Sequence, residues 1–506
     1  MRTTLGAVVL GVVFMEQAPA QVSDSREEDP GAAILRQRRQ TYPDLSRIVD
    51  LVQSVPPELA ADALLRVAGD PRNLDHGWKI GLLERAFETG ALAREPNRRR
   101  VMSTRVVAKS RAEIISLGFD QRIDRLSLQS RAVREMLPLD QAKALDMFQR
   151  IVFPRLGRLT CRDALIDDVE EYFFLVGEIV ESAFTAEQRQ QGQHVDLLSD
   201  QVNRMNTPVE VGAVAKLLSS SRLTEGALNL LASRFAAKLE QIESDDRSFS
   251  ASFGRNDEEV RRLAAVLVAR NLSSDGLIAA YRRYLRTNLG GNRCIDSGGG
   301  EFTSSVRDSF NQKFASDADA SRAPLTSDDP KPAKTEGQAD WDPFVSGDEF
   351  ERAWQEYLDL WLGKGHGPLM GKGTTALLDE QKSTIEWRTE FDDFLGKIDD
   401  IKPQTSEPEF RYFYRKATAL QAALRVAPPG PERDKVIRQF VALLRSSNLQ
   451  QESFLEWYAQ VQRTMSAIRN LGPEASARLI DELERSGDTV LSFYALASRV
   501  ICAGSK

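Results

Sequence analysis

Apolar residues return every three or four positions along almost the whole chain, which is the spacing of one face of an α-helix. Ile80, Leu83, Phe87 and Ala91 form one such stripe, Leu228, Leu231, Ala232, Phe235 and Leu239 a second, and Phe454, Trp457, Tyr458, Val461 and Met465 a third. Punctuation agrees with the period. "PPELAADALLRVAG" opens with Pro57 near a helix start and closes at Gly69. Thr185 with Gln188, and Ser406 with Glu409, have capping-box spacing where a periodic run begins. No succession of short alternating β-branched runs joined by Asn-Gly or Asp-Gly turns occurs. The pattern predicts an all-α protein.

The stripes are of similar width, and short Pro, Gly or Asp punctuation separates them. That predicts antiparallel helical hairpins stacked on one another as an irregular α-solenoid, since one hairpin leaves an apolar face uncovered. No tetratricopeptide or ankyrin consensus aligns to any window, so an irregular bundle is the alternative. A polar stretch from Glu243, "ESDDRSFSASFGRNDEE", reads as a loop. From Ser316 to Pro343 the chain is rich in Asp, Ser, Pro, Ala and Lys and carries no large aromatic before Trp341, so it reads as a flexible linker. The expected organisation is a signal peptide over 1–20, an N-terminal helical region over 21–315, the linker over 316–343, and a second helical domain over 344–506.

The leader rests on Arg2, the apolar run from Leu5 to Met15 and the small residues Ala18 and Ala20, which predict cleavage before Gln21. The run is too short to span about 30 Å of hydrocarbon. No comparable run follows, so no transmembrane segment is expected after cleavage. An exported protein, periplasmic or extracellular, is the expectation. A net charge of -7, with 67 Lys and Arg against 74 Asp and Glu, argues against a nucleic-acid partner, which needs a basic surface. The chain has only three cysteines and three histidines. Cys161 is placed at a helix start, Cys294 in a glycine-flanked loop and Cys502 at the end of an apolar helix. In an oxidising compartment disulfides persist. Sequence does not fix connectivity, and the favoured pair is Cys161 with Cys294.

Candidate chemistry is sparse. "GKGHGPLMGKGTT" from Gly363 fails as a phosphate loop, because Gly367 and Gly371 are separated by three residues and Gly373 stands where a hydroxyl residue is needed. His76, His194 and His366 form no i, i+4 pair, and the run from Asp317 puts Arg322 where a calcium loop needs glycine, so neither metal nor cofactor is expected. No nucleophile elbow is present, and no catalytic residue is nominated. Carboxylate pairs such as Asp167 with Glu171 or Asp392 with Asp393 read as helix-surface charge. Five of the six tryptophans lie from Trp341 onward, but Trp354, Tyr357, Leu358 and Trp361 share one stripe with Phe350, as core residues do. Arg282, Arg286 and Arg293 form a candidate anion patch beside the helix that ends at Gly290 or Gly291, one of which is expected in the left-handed conformation.

The blocks "PPELAADALLRVAG", "WKIGLLERAFETGALA", "DDRSFSAS" and "YLRTNLGGNRCIDS" resemble blocks of uncharacterised exported helical proteins of bacteria. That resemblance covers much of the N-terminal region; it implies the helical architecture and no catalytic residues. The expected role is a protein-interaction or scaffolding module of the cell envelope that holds a protein or peptide partner. The rival is a secreted hydrolase acting on polysaccharide with paired carboxylates in the tryptophan-rich C-terminal region. Non-reducing peptide mapping of exported protein is expected to recover Cys161 linked to Cys294; alkylation of both without reductant would refute that pairing.

Overall fold

The computed structural model describes residues 30–94, 98–100, 111–161, 163, 165–242, 246–290, 293–294, 300–315, 322–326, 335–336, 385–403, 405, 407–447, 450 and 454–503. The expected leader, Trp341, Trp354, Trp361, His366 and the run from Gly363 lie outside these residues. In chain order the elements begin with α1 (Pro30–Thr41), α2 (Pro43–Leu51), α3 (Pro57–Gly69), α4 (His76–Gly90), β1 (Arg98–Arg100), α5 (Arg111–Phe119), α6 (Arg125–Met136) and α7 (Gln141–Gln149). Then come β2 (Leu165–Asp167), α8 (Glu170–Ser182), α9 (Ala186–Gln190), α10 (Gln193–Arg204), α11 (Pro208–Ser220), α12 (Glu225–Leu239), α13 (Asp246–Ala269) and α14 (Asp275–Leu289). The remainder are β3 (Arg293–Cys294), α15 (Gly300–Lys313), β4 (Thr335–Glu336), α16 (Ile385–Asp399), α17 (Glu409–Val426), α18 (Pro431–Ser446), α19 (Phe454–Arg469), α20 (Pro473–Arg485) and α21 (Thr489–Ala503).

The chain is all-α, and its helix contacts are those of a bundle. Among the described residues strand is confined to two small ladders, β1 antiparallel to β2 and β3 parallel to β4. Through the middle of the chain, helices two apart in sequence make the larger contacts: α10 packs on α12, α12 on α14, and α11 on α13. The three stripes are largely inside. Leu228, Leu231, Phe235 and Leu239 are buried, as are Phe454, Trp457, Tyr458, Val461 and Met465. Helix starts are fixed locally, with Asp75, Asp124, Asp140 and Thr224 each accepting from a backbone N–H in the first turn and Thr185 forming the expected capping box with Gln188.

Several local expectations are corrected. The stretch read as a loop from Glu243 is mostly helix, since α13 starts at Asp246 and runs for 24 residues. Its first half carries a polar interior: Arg247, Ser248, Ser252, Asn256 and Asp257 are all buried. Short polar side chains read as loop in sequence, but here they let α13 lie close against α11. Helix α17 has Pro408, not Ser406, at its N-cap. Of the two glycines expected at the end of α14, Gly290 is right-handed, with φ -75°, and Gly291 lies outside the described residues. Cys161 lies in a turn before β2 rather than at a helix start, in a stretch that Pro154 and Gly157 keep irregular.

The α11–α13 contact is closed by one carboxamide. Asn256 Oδ1 accepts from the Gly212 N–H at 2.8 Å, and Asn256 Nδ2 donates to the Pro208 carbonyl at 2.9 Å. Those groups are i and i+4 on α11, so the side chain spans them as a peptide unit would. Gly212 is required, because a Cβ there would stand 2.8 Å from Asn256 Oδ1. One residue on, Asp257 accepts from Lys313 Nζ at 2.5 Å and Ser309 Oγ at 2.9 Å, which ties α15 to the same helix.

The C-terminal helices are built onto the N-terminal ones. Helix α19 lies along α5, where a Cβ on Gly118 would be 2.7 Å from the Leu455 carbonyl oxygen. Helix α21 contacts α2 and α3, and Arg72 Nη2 donates to the Val500 carbonyl at 3.0 Å. A single cluster of buried apolar residues extends from Leu45 to Val500. Within the span 316–343, residues 322–326 are described and packed: Leu325 is buried and exchanges hydrogen bonds of 2.7 and 2.9 Å with Asn311.

Asn256→Ala strips a buried N–H and a buried carbonyl of their side-chain partner, and a loss of about 2 kcal/mol is expected. Chemical denaturation followed by circular dichroism checks this, with a lowered midpoint as the outcome.

Candidate functional site

Helix α8 has the sequence "EEYFFLVGEIVES". Tyr172, Phe173, Leu175, Val176, Ile179 and Val180 are buried, and Glu170 and Glu171 sit in the first turn, where negative charge suits the helix dipole. Glu170, Phe174, Glu178 and Glu181 form the opposite, outward stripe. Phe174 is therefore an aromatic set in a row of carboxylates, and it is 56% exposed. A cleft of about 570 Å³ runs along this stripe, walled by α6, α11 and α13. The size suits a small ligand or a short stretch of chain.

Ion pairs line it. Glu170 is held by Arg99 at 2.8 Å and by Arg255, which comes from α13. Glu171 pairs with Arg122 at 2.6 Å and Arg134 at 3.0 Å, and Arg134 Nε also reaches Glu178 at 2.8 Å. The Arg134 guanidinium stands 4.9 Å from the centre of the Phe174 ring, a cation–π arrangement. Glu181 accepts from the Arg222 N–H at 2.9 Å. Lys216 of α11 lines the cleft, is exposed, and has no partner among the described residues. Gly177 brings α8 close to α11, since a Cβ there would lie 3.5 Å from Leu217 Cδ1. Lys216 and Phe174 thus line the same cleft from facing helices.

Burial and neighbouring charge tune these groups. Burial pushes Arg255 below the usual guanidinium range, and the positive charge of Arg99 adds to that. Burial opposes the charge of Arg134, but the hydrogen bonds it donates to Glu178 and Glu171 outweigh that and raise its pKa. At the rim, burial raises the Asp120 carboxyl, with Asp168 adding to the effect and Arg122 opposing it. Arg122 itself has φ 52°, a left-handed conformation that is unusual for a residue with a Cβ.

The residues nominated by sequence fall elsewhere. Cys161 is buried and disulfide-bonded, and its carbonyl accepts from the buried Arg247 at 2.5 Å. Cys294 is in β3, which contacts α13, the helix that carries Arg247. Of the anion-patch candidates, Arg282 donates to the carbonyls of Ala323 at 2.6 Å and Pro324 at 3.3 Å, so it clamps residues 322–326. Arg286 is exposed, and Arg293 is opposite Thr335 in the β3–β4 ladder. His76 is exposed at the start of α4, and His194 packs near Phe184 with its pKa lowered by burial. Among the described residues no group of three His, Cys, Asp or Glu could hold a metal ion.

The paired carboxylates named above all have cationic partners: Asp167 has Arg98 at 3.7 Å, Asp392 has Lys435 at 2.7 Å and Asp393 has Lys397 at 2.8 Å. Trp78 and Trp457 are buried, and the Trp457 indole donates to the Leu444 carbonyl at 3.0 Å. A second hollow of about 550 Å³, between α5, α17 and α19, has no aromatic side chain in its lining. No family model, curated protein or solved structure matches the chain.

Asp124, which caps α6 near the cleft rim, is pushed up to about 6 by burial, against a hydrogen bond from Ser127 that favours the carboxylate. An acid whose folded pKa lies above its unfolded value binds extra protons when folded, so stability falls as pH rises from about 3.8 through about 6. Asp124→Asn keeps a capping oxygen without the buried charge. It is expected to raise stability at pH 7 by on the order of 2 kcal/mol, and to have little effect below the unfolded pKa. Denaturant titrations across that range check it.

Proposed function

We propose that the chain is an exported helical scaffold of the cell envelope that binds a protein partner through the α8–α11 cleft. The observation that carries this is Phe174, a large aromatic left half-exposed in the middle of a built, charge-lined concavity. Burying such a ring against a partner contributes about 1.5–3 kcal/mol, and aromatics ringed by arginine are common anchors of protein contacts. The disulfide at Cys161 supports export, because such bonds persist in oxidising compartments. Neutralised carboxylates and buried tryptophans among the described residues favour binding over polysaccharide hydrolysis.

A photo-crosslinking amino acid at position 174, incorporated in exporting cells, is expected to trap a discrete protein adduct. The same probe at Arg234, exposed on α12, is the control. Absence of adducts from position 174, or the same adducts from both positions, would contradict the reading.

A further inference from the structure

We propose that the occupant of the α8–α11 cleft is an acidic, apolar peptide segment, which sets an aliphatic or aromatic side chain on Phe174 and a neighbouring carboxylate on Lys216. This rests on the reading of the cleft as a protein-contact surface and deepens it. The argument is one of unused hydrogen-bonding capacity. Glu170 and Glu171 each hold two arginines, Glu178 holds Arg134, and Glu181 holds both the main-chain N–H and the guanidinium of Arg222. Each carboxylate of the cleft therefore already faces at least one guanidinium.

The donors are less committed. A guanidinium carries five N–H groups, and Arg122, about half exposed, uses one of them in its 2.6 Å bond to Glu171. Lys216 brings three donors and no partner among the described residues, so its ammonium is open to a ligand. It stands beside Leu217, whose side chain faces Gly177, one turn along α8 from Phe174. Phe174 and Lys216 line the same cleft, so an apolar contact and a positive donor are both open to a short extended peptide lying in it. The cation–π contact of Arg134 fixes the Phe174 ring before a ligand arrives, which lowers the entropy lost on binding.

The test is fluorescence anisotropy with the full mature chain and a labelled heptapeptide of alternating leucine and glutamate. Two companion peptides replace every glutamate with glutamine or every leucine with serine. Saturable binding of the first peptide is expected, with about tenfold weaker binding of each companion. Lys216→Glu and Phe174→Ala are each expected to weaken the first peptide about tenfold, and Arg234→Glu to leave it unchanged. Lys216→Gln and Phe174→Leu, which disturb less, should weaken it in the same direction. No binding of the first peptide, equal binding of the glutamine peptide, or indifference to the substitutions at 216 and 174 would overturn the proposal. If position 174 still captured a protein in cells, the partner would have other chemistry while the broader function stood.

Discussion

No helix of this chain can cover its own apolar stripe, and the structure follows from how those stripes shield one another. Each large apolar side chain taken out of water contributes about 1.5–3 kcal/mol, which is available only when a neighbouring helix closes over it. The cover need not come from the neighbour in sequence. Helix α11 is covered chiefly by α13, and α5 by α19, so segments more than 300 residues apart share one interior. Removing a helix would expose the faces of several others.

Close approach sets a second requirement, that the interior accept polar groups and bare backbone. At Gly212 and Gly118 a neighbouring element comes so near that a Cβ would collide with it. The Asn256 carboxamide fills the first contact and satisfies two groups of α11 at once, while Asp257 is neutralised by Lys313. Buried polar groups matched in this way select one helix register, since sliding α13 along α11 would leave Asn256 without its partners.

Helix content was legible because periodicity reports it directly. The stripes at Leu228 and Phe454 are buried as their spacing requires. The start of α13 was not legible, since Ser, Asp and Asn are the residues of loops and caps, and only the presence of α11 makes their small size an advantage. Phe174 was hidden among "YFF", which reads as core. The signal was available in the row Glu170, Phe174, Glu178 and Glu181, where one aromatic interrupts a polar face at helical spacing. The arginines that neutralise those acids come from α6, α13 and residues 99 and 222, so their convergence is a product of the fold.

The cleft is a consequence of the same packing, because α8 is covered on one face by its neighbours and holds the other open between α6 and α11. Its charges fix its walls, and the Phe174 ring is left exposed between them. All of this requires the N-terminal and C-terminal helices to stand or fall together. Hydrogen exchange of the native chain in rising denaturant, read by mass spectrometry on peptides from α3, α5, α19 and α21, measures that directly. Loss of protection in all four at one common opening free energy is the expected result. Opening of α19 and α21 at clearly lower denaturant, with α3 and α5 still protected, would contradict a shared interior.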